Sequence, residues 1–236
     1  MLYTISDLHL SLSTDKPMNI FKGWENHTER IKSNWLRLVG DDDTVVLPGD
    51  FSWGLKLSET IEDFKFLDSL PGKKLLFKGN HDLWCFDYLE QECGVVVHHN
   101  SQTIEIGDQT FYLSHGDGLG DNDWKFKLIR GVFHNKACQC MFRWLHPALG
   151  MSFGLNWAKH SRLKHGLDGG DPPYQGEKNE PLVIFAKQYL KVHPEVDFFV
   201  FGHKKFLLND IGDGKLLRIP EKKKTPTKFV REFTDS

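Results

Sequence analysis

Asp7, His9, Asp50, Asn80, His81, His115 and His203 stand at or just past the ends of five short apolar runs, LYTI, TVVLPG, KKLLFKG, TFYLS and DFFVFG. Carboxylate, amide oxygen and imidazole are metal ligands, and none of the five loops carries a cysteine. That donor mixture suits Mn²⁺, Fe or Zn²⁺ in a reactive site and argues against a thiolate-bound structural zinc. So many groups exceed the needs of one ion. They suit two ions roughly 3.5–4 Å apart with Asp50 as the shared carboxylate. Two adjacent cations acidify a water and neutralise phosphoryl oxygens, so the chemistry they favour is hydrolysis of a phosphoester or diphosphate.

Residues so distant in sequence can share a site only if the fold gathers them. The carboxyl ends of neighbouring strands in an open α/β sheet converge on one edge, where loops bring side chains together. Strand-like segments are read at about 2–6, 44–48, 74–78, 95–98, 103–106, 110–114 and 197–201, alternating with helical stretches near 24–39, 58–69 and 180–192. This order predicts an α/β sandwich. Between 28 and 39, Ile31, Trp35, Leu36 and Val39 recur near helical spacing, and Gly40 fits a helix stop. Residues 166–176, rich in Gly, Pro and Asp, read as an irregular loop.

Composition sets the bounds. A chain of 236 residues with 39% hydrophobic content and a formal charge of −2 can bury one sizeable core, and is too balanced for an acidic tail protein or a general nucleic-acid binder. Cys85, Cys93, Cys138 and Cys140 show no CxxC spacing, and the opening MLYTISDLHL is a strand entering a ligand loop with no basic leader. The expectation is a cytoplasmic protein with reduced thiols. No apolar run approaches membrane-spanning length, so contact with the anionic inner face of a membrane would be peripheral.

Between Trp124 and His165 the chain carries Lys125, Lys127, Arg130, Lys136, Arg143, Lys159, Arg162 and Lys164 but no Asp or Glu, so its local field is positive. Apolar stripes such as Phe126, Ile129 and Phe133 run between the cations. Three readings compete: a helical subdomain with a solvated basic face, a nucleic-acid surface, or a lid for an amphiphilic substrate whose phosphates meet cations and whose acyl chains meet aromatics. Its place just after the His115 loop favours a lid beside the metals.

The ordered set Asp7-Leu8-His9, Gly49-Asp50, Gly79-Asn80-His81-Asp82, His115-Gly116-Asp117 and Gly202-His203 resembles the calcineurin-like metallophosphoesterases. That resemblance implies a β-sandwich flanked by helices in four αββα layers. It also implies one metal held by Asp7, His9 and Asp50, and a second by Asp50, Asn80, His115 and His203. His81 would act just outside the metals as general acid or charge stabiliser. One departure stands out: the family closes with Gly-His-x-His, and here Lys205 takes the place of the second imidazole. An ammonium has no lone pair to offer, so the first metal is weakened unless another donor, such as Asn209 or Asp210, replaces it.

The stretch from FDYLEQECGV through LSHGDGLGDND, KFKLIRGVFHNKACQCMFRWLHPALG, WAKHSR and PPYQGEKN to VDFFVFGH, about residues 84–203, is similar to the UDP-2,3-diacylglucosamine diphosphatases of lipid A synthesis, in particular their Bacteroides-type branch. Residues 1–83 look more like an uncharacterised bacterial branch of the metallophosphoesterases, and no closing strands are recognised after His203. The resemblance implies a di-manganese site under a helical lid that holds two acyl chains, with a nucleotide-sugar lipid as substrate and UMP and a diacylated glucosamine 1-phosphate as products. In the lid, Ser161, Arg162 and Lys164 are candidate diphosphate contacts, and Asp121, Asn122 and Asp123 candidate sugar contacts. The expected organisation is a single domain over 1–236, with the lid at about 121–166 and a solvated basic tail at about 220–236. Neither nucleic acid nor an obligate protein partner is expected. The competing functions are a soluble phosphoesterase of a small nucleotide or phosphoprotein, and a feebly active scaffold in which Lys205 has damaged the site.

Overall fold

A computed structural model of the chain describes residues 1–14, 24–54, 57–79, 82, 86–120, 178–202 and 217–218. The backbone divides into two compact units, Met1–Asp117 with Ala186–Ser236, and Gly118–Phe185. The insert expected at 121–166 and the tail at 220–236 lie outside the described residues.

In the first unit β1 (Leu2–Thr4), β2 (Thr44–Leu47), β3 (Lys73–Phe77) and β4 (Val96–His98) pair in parallel in the order β4-β3-β2-β1, and β8 (Leu217–Arg218) adds antiparallel to β1. A second sheet has the order β5-β6-β7, with β5 (Gln102–Ile106) antiparallel to β6 (Gln109–Ser114) and β7 (Phe198–Phe201) parallel to it. The sheets pack face to face through the two-residue period of their strands. On β2, Val46 faces a cluster with Leu2, Phe77, Phe111 and Leu113, while Val45 and Leu47 face a different cluster with Ile31, Trp35, Phe64 and Leu67. One side of the first sheet therefore meets the second sheet. The other meets α1 (His27–Leu38) and α2 (Leu57–Asp68).

The outward face of β6 is covered in turn. Tyr112, which alternates with Phe111 and Leu113, packs its ring 4.6 Å from Tyr189 on α4 (Pro181–Val192). Helix, sheet, sheet and helix form the αββα layering. The remaining helix among the described residues, α3 (Phe86–Glu92), leads into β4 and places Leu89 in the core beside Val95 and Val97. Neither α3 nor β8 was legible as an element in the sequence. Seven residues without a full amphipathic period, and a two-residue edge strand, carry too little pattern.

Helix α1 buries His27, Ile31 and Trp35, which are spaced by four residues along one face. Leu36 was expected on that face but is 54% exposed, because it lies about 100° around the helix from Trp35. Trp35 is fully buried, and its Nε1 donates to Pro71 O at 2.9 Å, tying α1 to the turn before β3. Glu29 in the first turn and Arg37 in the last suit the helix dipole.

Candidate metal centre

The loops leaving β1 and β2 run side by side beyond the sheet. Asp7 N–H donates to Gly49 O at 3.0 Å, His9 N–H to Asp50 O at 3.0 Å and Leu10 N–H to Phe51 O at 2.9 Å, and Trp53 N–H returns to Leu10 O at 2.9 Å. Asp7, His9 and Asp50 all take left-handed backbone, with φ of 54°, 43° and 52°. This conformation disfavours residues with a Cβ and is held only where surroundings fix it. The parallel hydrogen bonds do that fixing.

The two sheets contribute different candidate ligands. Asp7 and Asp50 come from the first, and His115 follows β6 of the second. One donor atom of each lies within 4.8 Å of the other two, and all three residues are buried. His115 Nδ1 donates to Pro48 O at 2.6 Å, which leaves Nε2 facing Asp50 Oδ2 at 3.4 Å. A ring held this way presents its second nitrogen to a metal. Ser6 donates to the Asp7 carboxylate. Close approach also explains the glycines beside the ligands. At Gly49, with φ of 94°, a Cβ would stand 2.6 Å from His115 Nδ1, and at Gly202 one would stand 2.5 Å from Pro48 O and 3.1 Å from Asp7 Oδ2.

Electrostatics ask for a cation here. Burial by itself lowers the pKa of His115, yet the Asp50 carboxylate beside it, with Asp7 and the Pro48 hydrogen bond, overrides burial and pushes it up to about 10. Two buried carboxylates thus draw positive charge into the pocket, as a proton in the bare protein or as a divalent cation. Oxygen and imidazole donors with no thiolate suit such a cation. Asp82 lies behind the site. Its carboxylate accepts the backbone N–H groups of Asp50 at 2.6 Å, Phe51 at 2.9 Å and Gly79 at 3.0 Å. Burial, then the charge of Asp50, raises its pKa.

Of the residues the sequence singles out, Asp7, Asp50 and His115 converge. His9 sits beside them, its Nε2 3.9 Å from Asp7 Oδ1 and its ring stacked on Trp53 at 4.7 Å. Asn80, His81, His203 and Lys205, the lid candidates Asp121, Asn122, Asp123, Ser161, Arg162 and Lys164, and Asn209 and Asp210 lie outside the described residues. Sequence reasoning gave no role to Ser6, Trp53 or Asp82. Asp82 had a signal, since it directly follows the Asn80-His81 pair. Trp53 and Ser6 had none, because their contacts are set by chain pairing.

A family model described as calcineurin-like phosphoesterase matches residues 2–204. The chain belongs to the calcineurin-like phosphoesterase family. Like its family, it is a metal-dependent phosphohydrolase, and membership implies divalent metal at a site such as this one. The UDP-2,3-diacylglucosamine hydrolase of Porphyromonas gingivalis is 33% identical over 228 residues, 88% of this chain and 84% of that protein. The protein of the same name from Hamiltonella defensa is 22% identical over 206 residues, covering 84% and 74%. A solved structure of a protein of unknown function from Aquifex aeolicus is 25% identical, with a TM-score of 0.40 and coverage of 58% of this chain and 74% of that one.

Proposed function

We propose that this phosphohydrolase uses two divalent metals, Mn²⁺ foremost, to hydrolyse the diphosphate of UDP-2,3-diacylglucosamine, giving UMP and 2,3-diacylglucosamine 1-phosphate. The observation that carries the substrate is the 33% identity, over 88% of the chain, with a protein named for that hydrolysis. The basic and aromatic stretch 124–165 supports it, since a lipid diphosphate needs cations and apolar surface together.

In this reading Asp7, His9 and Asp50 hold one cation, and Asp50, Asn80, His115 and His203 the other. Bound divalent metals supply an acidified water and neutralise charge on the phosphoryl oxygens. The chain's residues do the rest. Asp50 would serve both sets of ligands, and the His115 ring is held by Pro48 O so that its Nε2 stays aimed at Asp50. His81 donates a proton or a hydrogen bond as the P–O bond of the diphosphate breaks. Ser161, Arg162 and Lys164 would meet the diphosphate, and Asp121, Asn122 and Asp123 the sugar. Among the described residues no helix is long and apolar enough to cross a membrane. The proposed location is cytoplasmic, reaching its lipid substrate at the inner face of the membrane.

The test is a metal-supplemented assay with Mn²⁺, Fe²⁺ or Zn²⁺ on two substrates: UDP-2,3-diacylglucosamine in detergent micelles, and a soluble aryl phosphate. UMP release that far outpaces aryl phosphate hydrolysis is the expected result. Comparable or better activity on the aryl phosphate returns the protein to the soluble phosphoesterases.

A further inference from the structure

The paired loops that carry Asp7, His9 and Asp50 are joined at their far end by one side chain outside the metal-ligand pattern. Asp63 is on α2 and is fully buried. Its Oδ1 accepts Leu12 N–H, from the loop after β1, at 2.9 Å. Its Oδ2 accepts the hydroxyl of Ser52, from the loop after β2. Ser52 Oγ in turn accepts Gly54 N–H at 3.0 Å, and Leu10 and Ser52 form the parallel bridge between the loops.

We propose that Asp63 is a positioning residue for the metal centre, a clasp on α2 that holds the loops after β1 and β2 in one register and so fixes the spacing of Asp7, His9 and Asp50. The inference rests on reading those three as ligands. An ionised carboxylate is an acceptor only, and with one oxygen on each loop it reinforces, from α2, two segments that beyond the named strands are paired by the isolated Leu10–Ser52 bridge and the backbone hydrogen bonds around it. The need for such a bridge is visible in the backbone: all three ligand residues sit in left-handed conformations, which relax if the loops slide apart. Position 50 is two residues from Ser52, and position 9 three from Leu12, so a slip at the clasp is transmitted through only a few peptide units.

Asparagine tests the idea from both sides. In Asp63→Asn the amide oxygen can still accept Leu12 N–H while the amide nitrogen donates to Ser52 Oγ, so both links survive. Asp63→Ala removes both, and Ser52→Ala removes the second together with the acceptor of Gly54 N–H, so its exchange is read at Leu10, Leu12 and Trp53. The first measurement is amide hydrogen exchange on metal-free protein, and the second is Mn²⁺ uptake by equilibrium dialysis at a temperature where each variant is folded by circular dichroism.

For Asp63→Ala we expect faster exchange at Leu10, Leu12, Trp53 and Gly54 and a Mn²⁺ half-saturation raised roughly tenfold or more. Asp63→Asn should match wild type within about threefold in both measurements, the tolerance expected if the hydrogen bonds and not the charge are what matters. Ser52→Ala should fall between them, and it carries the test if Asp63→Ala does not fold. A variant without the clasp that melts earlier yet keeps wild-type loop protection and Mn²⁺ half-saturation overturns the proposal, as does an Asn variant as impaired as Ala. A wild type that takes up no divalent metal overturns the ligand reading instead, and the metal-free exchange data tell that failure apart.

Discussion

Asp50 is the residue on which the centre turns, since its carboxylate faces His115 and its backbone is bonded to both Asp82 and the loop of His9. Asp50→Asn isolates the charge: asparagine tolerates the same left-handed backbone, and the main-chain bonds remain. Metal content by elemental analysis and hydrolytic rate should both fall to near zero, and retention of either at the wild-type level contradicts a shared carboxylate. Lys205 offers the opposite experiment. Lys205→His restores the imidazole of the Gly-His-x-His pattern and removes a positive charge, so activity at limiting Mn²⁺ should rise, with tighter metal uptake measured at one pH. Equal metal titrations for the two proteins indicate that another donor already completes the site. Asp63 supplies a pH prediction. Burial, against the hydrogen bonds from Ser52 and Leu12, raises its pKa above the ordinary 3.8. A group raised in this way stabilises fully below its unfolded pKa and loses that contribution as pH climbs through the folded value. Asp63→Asn does not titrate, so its melting temperature relative to wild type should increase from about pH 4 toward neutrality in chelator-treated protein. A difference that is flat or falls over that range refutes the charge penalty.

Between elements, the joint that matters is the apolar layer between the sheets. Phe111 is fully buried there, stacked on Phe198 at 5.2 Å and packed with Val46 and Phe77, and it lies four residues before His115. Phe111→Ala should reduce stability by about 3–5 kcal/mol in urea unfolding, from lost burial plus the cavity left behind. Because the layer sets the distance between the sheet bearing Asp7 and Asp50 and the one bearing His115, Mn²⁺ affinity should weaken in the same variant. Phe111→Leu keeps most of the volume and should preserve both. Loss of stability with unchanged metal affinity would show that the loops, and not the sheet packing, hold the ligands together.

For the molecule as a whole, metal binding at this centre is expected to couple to the fold. The described candidate ligands come from two sheets, so a cation that binds Asp7, Asp50 and His115 would link them and stabilise the folded state by mass action. At Mn²⁺ near 100 times its Kd, each occupied site should add about 2.7 kcal/mol, or roughly 5–10 °C in melting temperature for a chain of this size. Differential scanning calorimetry of chelated and Mn²⁺-loaded protein checks it, and coincident transitions with no retained metal exclude a bound centre. Activity lost to the chelator should return on adding the metal back.

The sequence by itself determined seven of the eight described strands, three of the four described helices and the candidate ligands, because these follow from local pattern: apolar runs of strand length, helical spacing, and Asp or His placed where each run ends. It also gave the glycines beside Asp50 and His203 without the reason for them, which is that His115, Pro48 and Asp7 leave no room for a Cβ. Only the tertiary structure decided that the candidate ligands come from two facing sheets, that His115 Nδ1 is bonded to Pro48 O, and that Asp82 and Asp63 accept hydrogen bonds from the loops after β1 and β2. Four of those contacts join residues 31 to 67 positions apart through a backbone carbonyl or amide, and the fifth joins the Ser52 hydroxyl to Asp63 across 11 positions. Side-chain type leaves a trace in sequence, whereas the geometry of a carbonyl or an amide appears only once the chain has closed on itself.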